Sequence, residues 1–129
     1  YGSNMALHVV YGDYGDIPES RLSIKLLADA QEENGSWDNN DVDHTCDASR
    51  AIMHCCELLG IDEYDDKIDK SIEWLIRARN HDGGWGPVIG APSYILLTCD
   101  ALDTFAKYLF YVKRKPITKE QYLEKYDDF

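Results

Sequence analysis

Gln31-Glu32-Glu33-Asn34-Gly35-Ser36-Trp37 and Arg79-Asn80-His81-Asp82-Gly83-Gly84-Trp85 decide the fold: both end in Gly-x-Trp, and the second follows the first by 48 residues. Each closes an apolar, helix-patterned stretch. Each is followed by the same tetrapeptide, Thr45-Cys46-Asp47-Ala48 and Thr98-Cys99-Asp100-Ala101. A repeat of this length is one helical hairpin, which cannot cover its own apolar face and must stack on a neighbour. The glycine permits the positive-φ turn that stops a helix. The tryptophan after it suits an apolar plug folded back between hairpins.

Working outward, apolar periodicity predicts five helices. The first, over 18–33, opens with Pro18 in its first turn and carries Leu22, Leu26 and Ala30 as a stripe flanked by Leu27. The second, over 44–59, is capped by Asp43, has Ala48, Ile52, Cys55 and Leu59 inward, and stops at Gly60. The third, over 63–79, turns Tyr64, Ile68, Ile72, Leu75 and Ile76 inward. The fourth, over 92–113, is apolar nearly all round, through Tyr94, Ile95, Leu97, Leu102, Phe105, Leu109, Phe110 and Val112. Such an element is buried on several sides or meets another chain. A short fifth helix, over 119–126, is signalled by the Thr118 and Gln121 capping box.

No segment shows strand alternation. The predicted class is all-α: two tandem hairpins (20–60 and 68–113) and a C-terminal helix in one domain over 18–129, preceded by an irregular arm over 1–17. Met5 follows Tyr1-Gly2-Ser3-Asn4, which reads as a vector scar before a native start or a cut inside a longer chain. From Trp37 to Thr45 is eight steps, whereas from Trp85 to Thr98 is thirteen and includes Gly86, Pro87, Gly90 and Pro92. The longer, breaker-rich loop suits a rim or lid.

Length and composition bound the function. A chain of 129 residues forms one modest core. Apolar residues at 44% and charged residues at 29% are ordinary for a soluble globular protein. The net charge of -11 argues against nucleic acid, whose phosphates demand basic surface, and against anionic membranes. Lys113-Arg114-Lys115 ends a predicted helix, where cations complement its dipole. No apolar run reaches the roughly 18 residues of a membrane span, and no signal-peptide pattern is present. Cys46, Cys55, Cys56 and Cys99 fall at apolar helical positions, which suits reduced, buried thiols in a cytoplasmic protein.

The unit of helix, Q-x-x-x-G-x-W, and a second helix opening with Thr-x-x-Ala resembles the QW-type repeat of squalene-hopene cyclases and protein prenyltransferase β subunits. His81-Asp82-Gly83-Gly84-Trp85-Gly86 is especially similar to its D-G-G-W-G form. The resemblance covers residues 20 to 110 and implies part of an α/α-toroid. In those repeats the glutamine ties a helix end to its neighbour; Gln31 keeps that residue and Arg79 replaces it. A full toroid closes a ring of two helix layers, and four or five helices make only an arc. The chain is then a fragment, a self-associating unit or an open groove.

Three segments are candidate sites. Asp41-Val42-Asp43-His44-Thr45-Cys46 lies where the resembling class II cyclases carry D-x-D-D-T-A, so the resemblance makes Asp43 the proton donor, Asp41 the first acid and His44 the replacement of the third. A carboxylic acid in that role needs a raised pKa and a hydrophobic wall. The plain alternative is helix capping by Asp43, with Asp41 beside the same N-terminus. His44-Thr45-Cys46 is similar to a zinc-binding His-Thr segment of prenyltransferase β subunits, but the spacing supplies no further ligands for the three a catalytic zinc needs. No metal and no cofactor is predicted. Asp65-Asp66-Lys67-Ile68-Asp69 matches the D-D-x-x-D that holds magnesium in class I terpene enzymes, but the preferred reading is a solvated acidic first turn. Trp37, Trp85, Tyr94 and Phe105 are the candidate lining of an apolar groove, or else hairpin packing.

The expected function is a non-catalytic binding or assembly module for an apolar small molecule, a peptide or a second copy of the chain, in a homo-oligomer or larger toroid. The alternative is an isoprenoid-handling enzyme, or a piece of one, with Asp43 as its acid.

Overall fold

The computed structural model describes residues 18–114. The arm over 1–17 and the helix over 119–126 lie outside the described residues. The described residues form four helices: α1 (Pro18–Asp29), α2 (Val42–Leu59), α3 (Asp65–Ala78) and α4 (Ile95–Tyr111). The chain is all-α. Among the described residues, extended pairing is limited to two isolated bridges, Trp37 with Asp41 and Asp41 with Val88.

The two Gly-x-Trp turns share most of their bonds. Gly35 and Gly83 have φ of 100° and 90°, the left-handed region in which a Cβ is strained. Glu32 N–H donates to the Ser36 carbonyl, and Asn80 N–H to the Gly84 carbonyl, both at 2.8 Å. Gln31 Nε2 donates to the Gly35 carbonyl and Arg79 Nε to the Gly83 carbonyl, both at 3.0 Å. Each indole then folds back on the helix before it. Trp37 Nε1 donates to the Leu27 carbonyl at 2.9 Å, and Trp85 Nε1 to the Leu75 carbonyl at 2.8 Å. A buried indole must find such an acceptor or lose the value of its burial.

The chain re-enters a helix through the shared threonine. The main-chain N–H of Trp37 donates to Thr45 Oγ1, and that of Trp85 to Thr98 Oγ1, each at 3.0 Å. Gly60, at φ 66°, closes α2 with its N–H on the Cys56 and Glu57 carbonyls, and Ile61 N–H also reaches Cys56. This is the left-handed C-cap that leaves few orphan carbonyls. Gln31 Nε2 additionally donates 2.8 Å to the Lys67 carbonyl, which ties the first turn to α3.

Helix α2 is the centre of the molecule. Val42, Cys46, Ala48, Ile52, Met53 and Cys56 are buried along it, and α1, α3 and α4 all pack on it. Several expected core positions differ. On α1 the buried residues are Ile24 and Ala28, while Leu22 and Leu26 are 55% and 60% exposed and Ala30 is exposed too. The pattern offered two apolar faces, and α2 covers only one. Ile76 is likewise open. On α4 only Leu97, Ala101, Thr104 and Tyr111 are buried; Ile95 and Phe110 are each 79% exposed. Cys46, Cys55 and Cys56 are buried and reduced, but Cys99 is exposed. Burial pushes the Cys46 and Cys56 thiols up to about 12 and Cys55 to about 11, so all three stay protonated and unreactive at neutral pH.

Two glycines separate strain from crowding. A Cβ on Gly35 would strike the Lys70 carbonyl of α3, whereas one on Gly90, also at positive φ, meets nothing. Gly35→Ala is expected to cost about 3 kcal/mol or more, because the turn and the α3 contact both yield. Gly90→Ala should cost about 1 kcal/mol from backbone strain alone. Urea titration of both variants measures the difference.

Candidate functional site

The acidic segment before α2 is shaped by three successive left-handed residues. Asp38, Asn39 and Asn40 have φ of 48°, 59° and 68°. Asp and Asn tolerate this region better than other side chains. The turn brings Asp41 N–H back to the Trp37 carbonyl at 3.1 Å. Val42 N–H then donates to the Pro87 carbonyl at 2.9 Å, so the two loops that follow the tryptophans lie side by side.

Asp41, not Asp43, caps α2. Its Oδ1 accepts the His44 N–H at 2.8 Å from an extended backbone, which satisfies one of the orphan donors of the first turn. The helix begins two residues earlier than its apolar pattern, at Val42, because Val42 is anchored to Pro87 and buried. Asp43 therefore sits inside the first turn, half-buried. Burial holds its carboxyl above the ordinary carboxylate range, and the charges of Asp47, Asp100 and Asp41 push in the same direction. Its proton is thus held more tightly than in free solution. His44 Nδ1 lies 2.6 Å from the Asp38 carboxylate and 3.9 Å from Asp41 Oδ1.

Arg50 gathers the neighbouring acids. It meets Asp47 at 2.7 Å, Asp103 at 2.9 Å and Asp100 at 3.6 Å, which joins α2 to α4. Asp47 and Asp100 are the third residues of the two shared tetrapeptides. The threonines of those tetrapeptides are the residues whose role the pattern signalled without revealing. Thr45 Oγ1 also donates 2.7 Å to the Asp41 carbonyl, so one hydroxyl fixes both the tryptophan turn and the cap residue. Arg50 carries no such signal, since its partner Asp103 is 53 residues away.

The four aromatic residues do not converge on a groove. Trp37 and Trp85 are 1% and 3% exposed, interior plugs without a free face. Phe105 is half-buried against Trp85, with ring centroids 5.7 Å apart. Tyr94 precedes α4 and is 55% exposed. The D-D-x-x-D segment ties helices together: Asp69 accepts from Tyr108 Oη at 2.7 Å, and Asp65 accepts from Tyr111 Oη at 2.5 Å and from Arg114 at 3.0 Å. Among the described residues, no three His, Cys, Asp or Glu side chains converge as a metal site. A shallow cavity of about 200 Å³ lies between α1 and the α2–α3 turn, beside Arg21, Ile24, Leu59 and Tyr64. It contains none of the predicted site residues and is smaller than the roughly 300 Å³ at which drug-sized pockets begin.

The family model described as the squalene-hopene cyclase C-terminal domain matches residues 2–99. A probable squalene–hopene cyclase of Sinorhizobium fredii is 32% identical over 63 residues, a region that is 49% of this chain and 10% of that protein. The matched region is therefore a small part of that relative. No solved structure matches the chain.

The two carboxylates should separate by substitution. Asp41→Ala is expected to cost about 1 kcal/mol through the lost cap, and Asp43→Ala less than about 0.5 kcal/mol. The pH dependence has a definite sign. Asp43 has a raised folded pKa, so its carboxylate weakens the fold once ionised. Relative to Asp43→Asn, the wild type therefore gains stability as pH falls through the raised pKa, and the gain is complete below the ordinary value of 3.8. Thermal melts of both proteins from pH 7 to pH 3 check it.

Proposed function

This chain belongs to the squalene-hopene cyclase C-terminal domain family, and from that membership we propose that it serves as a non-catalytic binding or assembly unit, an arc of an α/α-toroid that works in the cytoplasm. The apolar face of α4 carries this reading. Ile95, Leu96, Leu102, Leu109 and Phe110 are each more than half exposed on one helix. Exposure of that kind marks a surface for an apolar ligand, a peptide or another protein. The spent chemistry supports it as well. The first acid of the cyclase-like segment is occupied as a helix cap, His44 stands in place of its third, and both indoles are interior. No helix among the described residues is long and apolar enough to cross a membrane.

A second reading has one observation of its own. Asp43 keeps its proton above the ordinary range, which is the direction a class II cyclase acid requires. In that reading Asp43 protonates an alkene or epoxide in a pocket completed by further helices. His44 stands where that motif carries its third acid, so the first reading is preferred.

The two separate in one assay. The chain is incubated with squalene and, separately, with a prenyl diphosphate, and the extract is analysed by gas chromatography and mass spectrometry. No product is expected from either. A cyclised product that appears with wild type and disappears with Asp43→Asn would overturn the proposal, since asparagine preserves the local polarity and folding.

A further inference from the structure

We propose that the outer face of α4 receives the α1 face of a second copy of this chain, head to tail, in the way α2 receives the second helix pair within one copy; this rests on the assembly reading above. Aligning the shared tetrapeptides pairs Thr45 with Thr98, and the preceding cap residues Asp41 and Tyr94 then coincide as well. In that register Val42, Cys46, Ser49, Met53 and Cys56 of α2 correspond to Ile95, Cys99, Leu102, Ala106 and Leu109 of α4. The first five are all buried. Their partners belong to the second helix pair and its loop: Val42 N–H meets Pro87, Ser49 Oγ meets Ser71 Oγ at 2.8 Å, Cys46 meets Thr104, and Cys56 meets Tyr111. The corresponding five on α4 are all exposed. They keep the alternating four- and three-residue spacing of a single helix face. Three of them are larger and more apolar than their α2 counterparts: Ile95 for Val42, Leu102 for Ser49 and Leu109 for Cys56.

On α1 the complementary face is open at the other end. Within the chain, α3 meets α2 through Ser71, and Trp74 and Ala78 at the same spacing are buried as well. Aligning the Gly-x-Trp turns places Ser23, Leu26 and Ala30 of α1 at those positions, where Leu26 is 60% exposed. The polar clasp behaves likewise. Gln31 closes its own turn and also bonds the Lys67 carbonyl of α3. Arg79 closes its own turn, and no second carbonyl meets it among the described residues. The residue aligned with Lys67 is Glu19, in the acidic first turn of α1. An incoming copy would therefore offer Arg79 both a carbonyl and a complementary charge. Each end of the chain carries one half of the same contact, so a head-to-tail arrangement closes both, whereas a two-fold pairing of α4 on α4 would leave the α1 face and Arg79 open.

The test uses the 129-residue chain and two charged substitutions on exposed positions, Leu26→Glu and Leu102→Glu. Far-UV circular dichroism is expected to stay as in wild type. In sedimentation velocity the wild type should associate with concentration, past the dimer. Each variant alone should be monomeric, its association weakened at least about 100-fold by a charge placed in the contact. An equimolar mixture should form a 1:1 dimer and nothing larger, since each variant keeps one intact face. Cys99 supplies a second readout as the one exposed cysteine among the described residues. Its alkylation by iodoacetamide should slow as wild-type concentration rises, and not in Leu102→Glu. A monomeric wild type, or a mixture that stays monomeric, overturns the proposal. If Leu102→Glu abolishes association and Leu26→Glu does not, the head-to-tail contact fails while assembly through α4 stands. If neither substitution changes association, both fail.

Discussion

A tryptophan folded back on the helix that precedes it, and tied by its own N–H to a threonine of the helix that follows, sets the geometry of each helix pair. Three groups that would otherwise be buried without partners are satisfied together: the indole N–H, the tryptophan main-chain N–H and the threonine hydroxyl. The glycine two residues earlier is the condition for all of it. Only a left-handed residue without a side chain lets the turn pass close enough under α3 for the indole to reach inward. The two tryptophan bonds recur at matching distances in the second turn, whereas the Thr98 hydroxyl reaches the Trp85 carbonyl at 3.5 Å.

The carboxylates before α2 show how architecture and chemistry compete for the same groups. A helix N-terminus needs an acceptor, and Asp41 is drawn into that task by its extended backbone. Asp43, within the first turn, is left among acids with a raised affinity for its proton. The group that offsets this crowding is Arg50, which reaches one acid on its own helix and two on α4. The proton affinity of Asp43 is thus shifted upward by burial and by the neighbouring carboxylates together.

Much of this was legible in the residues. The punctuation by Gly35, Gly83 and Gly60 placed the helix ends to within a few residues, and the all-α class followed from periodicity. What misled was the count of neighbours. Leu22, Leu26 and Ile76 look like core residues because they lie at core spacing, but spacing says only that a face is apolar and never whether anything covers it. For Trp37 and Trp85 the motif left both a plug and a groove lining open, since an indole that could line a groove and one that plugs a core read the same in sequence; both are buried. The cap shifted from Asp43 to Asp41 because the deciding bond, Val42 to Pro87, comes from a loop in the second half of the chain. Long-range partners of that kind leave no local mark.

Gln31 does two jobs with one amide group, closing its own turn and gripping the next helix pair. Local order and stacking are therefore coupled through a single side chain. A unit in the middle of a series is held from both directions, whereas a unit at either limit is held from one. Such a series behaves as a one-dimensional lattice with frayed terminal sites, each addition strengthening what is already in place more than it strengthens itself.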